Sequence, residues 1–263
     1  MKSIFFFLFI FLNLDVYAKD SALKEIMKHK EIKFVMDVGV KPWIWIKADG
    51  SYTGFEYEIV KEVTQYIDQK LKLDGQLKLT IIPAPWEQMG DWVIKDKKGH
   101  IAINGMYKPG SEEVKKDQAW SDCYYKTGVS VMYHSSQKTP TLEDLKKSNS
   151  IMTYPDPHVL ETLKKLGIKD VKQNENDHRY ARYIKRKKYE YILADSAFVY
   201  WEDSKGRYKD NVASTRKIIP NTEGCYAALG SKNNSELIQY FNEALSKLQK
   251  QKKDTEIFKK YGI

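Results

Sequence analysis

The stretch KPWIWIKADGSYTGFEYEIVKEV, residues 41–63, decides the fold of this chain. It follows an apolar segment at 32–38 that predicts a strand, and its Asp49 and Gly50 are typical of a turn. After the turn, apolar residues recur at the spacing of a helix that buries one face. These residues are Phe55, Ile59, Val60, Val63 and Ile67. A strand, a turn and an amphipathic helix in succession begin an α/β fold.

The same alternation of strand and helix continues along the chain. The predicted segments are strands at 77–86, 99–106, 127–136 and 151–154, and helices at 86–96, from Thr141 onward and at 158–166. Thr141 is expected to cap its helix together with Asp144, three residues later. Alternating strands and helices favour mostly parallel sheets covered by helices. We therefore predict two α/β units joined by strands, with the chain returning to the first.

The first 18 residues have the pattern of a secretory signal peptide. Lys2 is followed by the apolar run 4–12, and Ala18 precedes the polar Lys19. Nine apolar residues are too few to cross a bilayer, which takes about 20. We expect cleavage after Ala18 and a soluble, periplasmic product.

The formal charge of +9 raises the question of a nucleic-acid or anionic-surface partner. The densest basic run, HRYARYIKRKKYEY at 178–191, places Tyr180, Tyr183 and Ile184 on one face of a predicted helix and the charges on the other. This is the pattern of a solvated helix face. We therefore expect no nucleic-acid partner, and we expect a monomer without cofactor or metal.

Five segments together resemble the periplasmic solute-binding proteins of amino-acid-type ABC importers, whose fold also forms glutamate-receptor ligand domains. Residues 41–63 are similar to the family's Gly-Phe-Asp-x-Asp opening, and AWSDCYYKTGVSVMY at 119–133 to its Phe-Ser-Asp-Pro-Tyr strand. TLEDL at 141–145, KYEYILAD at 188–195 and EIFKKYGI at 256–263 match later landmarks. The order and spacing of the matches, more than any single one, identify the resemblance over about residues 32–261.

The resemblance implies a two-lobed, type II periplasmic-binding-protein fold with two hinge crossings. The first lobe would comprise 19–133 and 220–263, and the second lobe 134–219. Two rigid lobes that close on a small solute remove it from water, which strengthens each hydrogen bond to it. The implied partners are this solute and a membrane ABC permease that receives it.

The resemblance also assigns residues to the ligand. Trp43 stands where the family has an aromatic residue that covers the ligand; the alternative, a core tryptophan, suits Trp45 better. Asp195 matches the acid that pairs with a ligand amino group, although it is equally placed to cap the helix that follows. Trp86, at the end of a predicted strand, and Glu58, the second acid of the opening motif, complete this set.

Residues 104–107 follow the third predicted strand, at the place where relatives offer backbone and hydroxyl groups to the ligand. They are Asn104, Gly105, Met106 and Tyr107. A glycine here lets a ligand approach the main chain closely.

The family's carboxylate-binding arginine falls on Val114, which has no guanidinium to offer. In the second lobe, the family's Gly-Thr pair is replaced by TYPDPHV, in which Pro155 and Pro157 have no N–H. These two losses indicate that the protein does not hold an α-carboxylate in the usual way.

Two replacements for the lost carboxylate subsite stay open. Lys108 could supply a substitute charge, or Asp156 and His158, with Glu58, could make the subsite one for a donor-rich ligand. Together these residues favour a ligand with an amino- or hydroxyl-rich face.

Cys123 and Cys225 are the two cysteines. In an oxidising compartment they suggest one disulfide, with two buried free thiols as the alternative.

The competing functions are an enzyme and a sensor. A few relatives on this scaffold are periplasmic dehydratases, and cleft carboxylates serve both catalysis and binding. The chain shows no nucleophile elbow, zinc pair or phosphate loop. We therefore expect a non-catalytic binder, and a ligand-sensing subunit of a signalling system remains an alternative.

Overall fold

The computed structural model describes residues 21–155, 157–176 and 179–263. The proposed signal peptide lies outside this part of the chain.

The strands are β1 (Glu31–Met36), β2 (Trp45–Ile46), β3 (Tyr52–Thr53), β4 (Lys78–Pro83), β5 (Ile101–Ala102), β6 (Gln118–Trp120), β7 (Tyr125–Thr127), β8 (Val129–His134), β9 (Ile151–Thr153), β10 (Val171–Gln173), β11 (Tyr191–Asp195), β12 (Val212–Ile218), β13 (Gly224–Tyr226) and β14 (Leu229–Ser231).

The helices of the described chain separate only some of these strands, because β5 to β8 and β12 to β14 follow one another without an intervening α-helix and the last two helices are consecutive. They are α1 (Ser21–His29), α2 (Phe55–Leu71), α3 (Met89–Ile94), α4 (Leu142–Lys147), α5 (Pro157–Lys165), α6 (Tyr180–Lys185), α7 (Ser196–Ser204), α8 (Ser235–Lys250) and α9 (Lys253–Tyr261). The predicted cap of α4 is confirmed, because Thr141 and Asp144 form a reciprocal capping box. In the described part of the chain, no helix is long and apolar enough to span a membrane.

Two five-stranded sheets form the two lobes. The first has the order β4-β1-β5-β14-β6 and the second the order β10-β9-β11-β8-β12. In the first sheet only β14 runs against the other strands, and in the second only β8 does. Both sheets are therefore mostly parallel and are flanked by helices, in agreement with the predicted fold class.

A separate two-stranded pair, β7 with β13, links the lobes. We call this pair the hinge. The strand β8 already belongs to the second sheet, so the first crossing lies just before Val129 rather than at the predicted 133/134 boundary. The local pattern of β8 predicts a strand correctly, but it contains no information on which sheet the strand joins.

The largest apolar cluster extends from the first lobe through the hinge to one face of the second sheet. It contains Phe34 and Phe241 in the first lobe, Tyr226 in the hinge, and Ile192 and Val199 in the second lobe. The hinge is thus embedded in packed side chains, which restricts the lobes to discrete relative positions.

Candidate functional site

The carboxyl ends of the parallel strands define the cleft, which is the usual ligand position in open α/β sheets. In the first lobe, Trp86 follows β4 and the loop 103–107 follows β5. In the second lobe, Tyr154 follows β9 and Asp195 ends β11. Trp86 and Tyr154 are exposed by 48% and 43%, so each lobe has an accessible aromatic residue after one of these strands.

The predicted capping role of Asp195 is confirmed, whereas its role toward a ligand stays a prediction. It caps α7, because its Oδ1 accepts a hydrogen bond from the Ala197 amide at 2.8 Å. Its Oδ2 accepts from the Tyr107 hydroxyl at 3.0 Å and from Thr127 Oγ1 at 2.9 Å. Burial raises the pKa of the Asp195 carboxyl, and the hydroxyls of Tyr226, Thr127 and Tyr107 oppose this rise. Asp195 therefore joins the second lobe to both the hinge and the first lobe.

The loop at 103–107, which follows β5, is held in place by close contacts of its backbone with Trp43 and Trp86. Gly105 has a φ of 59°, and a Cβ there would lie 2.7 Å from Nε1 of Trp43. Only glycine fits this turn. The carbonyl of Asn104 accepts a hydrogen bond from Nε1 of Trp86 at 3.0 Å. Met106 lies in the same loop and packs against a first-lobe cluster.

The structure places Trp43 in the core and Trp45 nearer the surface, which reverses the expected arrangement. Trp43 is 7% exposed and packs against Phe55 and Tyr226. Its carbonyl accepts the Glu56 amide at 3.2 Å, which holds the turn against α2 and buries the ring. The Trp43 ring thus packs directly against Gly105. Alternation along a strand could not predict this, because β2 begins only at Trp45.

Glu58 lies away from the strand ends, on α2 beside α9. Its carboxylate forms ion pairs with Lys260 at 2.8 Å and Lys61 at 3.7 Å. Burial opposes the effect of these lysines, but the net result is a lowered pKa of Glu58. The structure gives Glu58 a role in attaching the last helix to the first lobe.

Sequence reasoning missed Glu56, which is completely buried. Its Oε1 accepts hydrogen bonds from the Gly105 amide, at 2.7 Å, and from the Tyr124 hydroxyl. Burial raises the pKa of Glu56 to about 8, against the effect of these two donors. One signal was available: Glu56 precedes Ile59 and Val60 by three and four residues, which places it on the buried face of α2.

Lys108 does not extend into the cleft. Its Nζ donates to the Ser121 carbonyl at 2.7 Å, and its amide donates to the Cys225 carbonyl at 2.8 Å. Val114, at the position of the family's arginine, lies half-buried in the loop that follows. The Lys108 ammonium is therefore engaged by the protein itself.

The proposed second-lobe ligand residues lie at the edge of the described chain. Asp156 and the side chain of His158 fall outside the described residues, so their roles stay predictions. Pro155, directly after Tyr154, is the last described residue before Asp156.

Cys123 and Cys225 form a disulfide, with their Cα atoms 5.6 Å apart. Cys225 lies in β13 and Cys123 lies two residues before β7. The bond therefore ties together the two segments that cross between the lobes.

Comparisons with known proteins agree with this architecture. A family model described as bacterial extracellular solute-binding proteins, family 3, matches residues 32–263. No curated protein matches the sequence.

Solved structures similar to this chain include three amino-acid-binding proteins. An ancestral cationic amino acid solute-binding protein has a TM-score of 0.74 and 20% identity, covering 92% of this chain and 100% of its own. A structure described as an ancestral amino-acid-binding protein, a precursor of cyclohexadienyl dehydratase, has a TM-score of 0.69 and 20% identity, covering 92% and 99%. The L-cystine solute receptor of Neisseria gonorrhoeae, unliganded and open, has a TM-score of 0.68 and 16% identity, covering 91% and 96%. At these identities the likeness shows the fold alone.

Proposed function

Because the chain belongs to family 3 of the bacterial extracellular solute-binding proteins, we propose that it binds a small polar solute in its cleft and delivers it unchanged to a membrane ABC permease. The binding takes place in the periplasm. The solute presents amino or hydroxyl donors, and no carboxylate is required for its recognition.

One observation carries the choice of solute. The carboxylate of Asp195 lies at the strand ends that form the cleft, whereas the nearby Lys108 ammonium is engaged by the Ser121 carbonyl. In this arrangement the carboxylate accepts hydrogen bonds from the hydroxyls of Tyr107 and Thr127 and from the Ala197 amide. A ligand ammonium that displaces the Tyr107 hydroxyl would gain a charge-assisted hydrogen bond, so the site favours a charged donor on the ligand. Val114 cannot make the bidentate contact that holds a carboxylate. The exposed rings of Trp86 and Tyr154 add faces on which a cation or an apolar chain can lie.

A thermal-shift screen with matched pairs of compounds tests this proposal. Each pair differs only by a carboxylate: agmatine with arginine, cadaverine with lysine, and putrescine with ornithine. At a hundred times its Kd, a bound solute stabilises by about 2.7 kcal/mol, which is about 5–10 °C for a chain of this size. We expect at least one decarboxylated compound, or a hydroxyl-rich solute in the same screen, to give such a shift while the amino acids give little. A larger shift with an amino acid than with its decarboxylated partner would refute the choice of solute.

Substituting Asp195→Asn is expected to remove at least nine-tenths of the affinity for an amine identified in this way. Asparagine keeps the ability to cap α7, so the fold is retained while the charge is lost. Titration calorimetry measures the effect, and Trp86→Ala is expected to weaken binding as well. Lys187→Ala, on the solvated surface beyond α6, serves as the control and should leave the affinity unchanged.

An enzyme on this scaffold is the second candidate, since the similar ancestral structure is described as a precursor of cyclohexadienyl dehydratase. Mass spectrometry of the solute after prolonged incubation separates the two functions. A binder returns the solute unchanged, whereas turnover would establish catalysis. Transport and sensing differ in the membrane partner that captures the loaded protein.

A further inference from the structure

The last residues of the chain connect the two lobes a second time, without covalent bonds. On the first-lobe side, the Tyr261 hydroxyl accepts a hydrogen bond from the Gly54 amide at 3.1 Å and is 2.9 Å from Thr53 Oγ1. Lys260 adds the ion pair with Glu58 at 2.8 Å. These contacts attach α9 firmly to the first lobe.

On the second-lobe side, the Gly262 carbonyl accepts hydrogen bonds from Arg216 Nη1 at 2.8 Å and from Ser204 Oγ at 3.2 Å. The Arg216 guanidinium is fixed within the second lobe, because Nε donates to Asp203 at 2.9 Å and Nη2 to the Tyr200 carbonyl at 3.1 Å. Gly262 has a φ of 73°, and a Cβ there would lie 1.9 Å from Ser204 Oγ. The close approach therefore requires glycine.

Aromatic rings extend this contact. Trp45 of the first lobe lies edge-on to Tyr261 with ring centroids 5.8 Å apart, and its ring is 6.3 Å from that of Trp201 in α7. The Lys41 Nζ is 5.6 Å from the ring centroids of both Trp45 and Trp201. A first-lobe cation thus lies over an aromatic ring of each lobe, which is an attractive arrangement.

These contacts lie away from the cleft, beyond the hinge. Asp195 precedes α7 at the cleft, whereas Ser204 ends this helix of nine residues, about 13 Å away at 1.5 Å per residue. Phe258 of α9 covers Tyr125 of the hinge, with ring centroids 5.1 Å apart. A rotation about the hinge that closes the cleft must therefore displace α7 relative to α9.

We propose that this second connection, which we call the C-terminal clasp, holds the cleft open and is released when the cleft closes. The clasp consists of Lys41, Trp45, Tyr261 and Gly262 on one side and Trp201, Ser204 and Arg216 on the other. In the arrangement with an intact clasp, Trp86 and Tyr154 are both accessible to solvent. Contacts made in only one of two states shift the equilibrium toward that state by their full free energy. The clasp thus reduces apparent ligand affinity without touching the ligand.

Spin-label distances in the ligand-free protein test the clasp. Labels at Glu87→Cys after β4 and Gln173→Cys at the end of β10 report the width of the cleft, and the native disulfide stays oxidised. We expect one long distance in the parent. In Trp201→Leu, the fraction of molecules that show the shorter distance of a closed cleft should rise about tenfold, from the few per cent typical of a minor state. Lys41→Gln, at an exposed position, should act in the same direction, more weakly.

Trp92→Leu is the matched control, because the Trp92 ring pairs with Lys98 at 3.8 Å entirely within the first lobe. It should leave the distances unchanged. The proposal is overturned if both clasp variants retain the parent distances, or if the distances lengthen. Since no solute is present, this outcome is independent of whether the proposed ligand is correct.

Discussion

Glu56→Gln is expected to reduce the slope of stability against pH between about pH 5 and 8, and to raise the free energy of unfolding at pH 8 by about 2 kcal/mol or more. The reason is the burial of this carboxyl, which raises its pKa to about 8 from an ordinary 4.5. Between these values the folded chain retains a proton that the unfolded chain has lost. Stability therefore falls as pH rises, by up to about 1.4 kcal/mol per pH unit.

The sign follows from the groups that face Glu56. The Tyr124 hydroxyl and the Gly105 amide favour its ionised form, whereas burial and the Asp195 carboxylate disfavour it, and burial dominates. Its contribution is fully present below pH 4.5, is lost progressively up to about pH 8, and changes no further above that. Asp195 also has a raised pKa, so the variant keeps a smaller slope of the same sign.

Urea unfolding at pH 5, 6, 7 and 8 measures this effect. The control is Glu112→Gln, an exposed acid in the loop after β5, which should leave the profile unchanged. Identical slopes in the parent and in Glu56→Gln would show that Glu56 is ionised in the folded protein.

Periodicity predicted the fold well because helices and strands are local. The spacing of Ile59, Val60 and Val63 predicts α2, and the cap formed by Thr141 and Asp144 is recognisable within four residues of sequence. Pairing between distant strands has no such local signal. The sheet that β8 joins depends on β11 and β12, far along the chain, and the predicted boundary was displaced for that reason.

The candidate site was predictable in position more than in detail. Residues at strand ends, such as Asp195 and Tyr107, do meet, although 88 residues separate them. Trp43 and Glu56 were misjudged for one reason. Both side chains are buried by residues distant in sequence, because Tyr226 packs on the Trp43 ring and Gly105 and Tyr124 donate hydrogen bonds to Glu56, and a local motif does not show such contacts.

Replacing both cysteines, as Cys123→Ala with Cys225→Ala, is expected to lower the free energy of unfolding by about 2–5 kcal/mol. The bond spans 102 residues of sequence, and in the chain-entropy model a loop of about 100 residues contributes nearly 5 kcal/mol. The hinge strands β7 and β13 lie at the two ends of this loop, so the entire second sheet lies within it. The bond therefore restricts the unfolded chain of the second lobe.

Guanidinium unfolding under oxidising and reducing conditions measures this contribution. Reduction of the parent should lower its stability to that of the double variant, whereas reductant should have no effect on the double variant itself. Alkylation should add mass to the unfolded parent only after reduction. A loss below about 1 kcal/mol would contradict the chain-entropy argument. It would mean that the packing of Tyr125 on Tyr226, with stacked rings 5.6 Å apart, keeps the hinge strands together without the covalent bond.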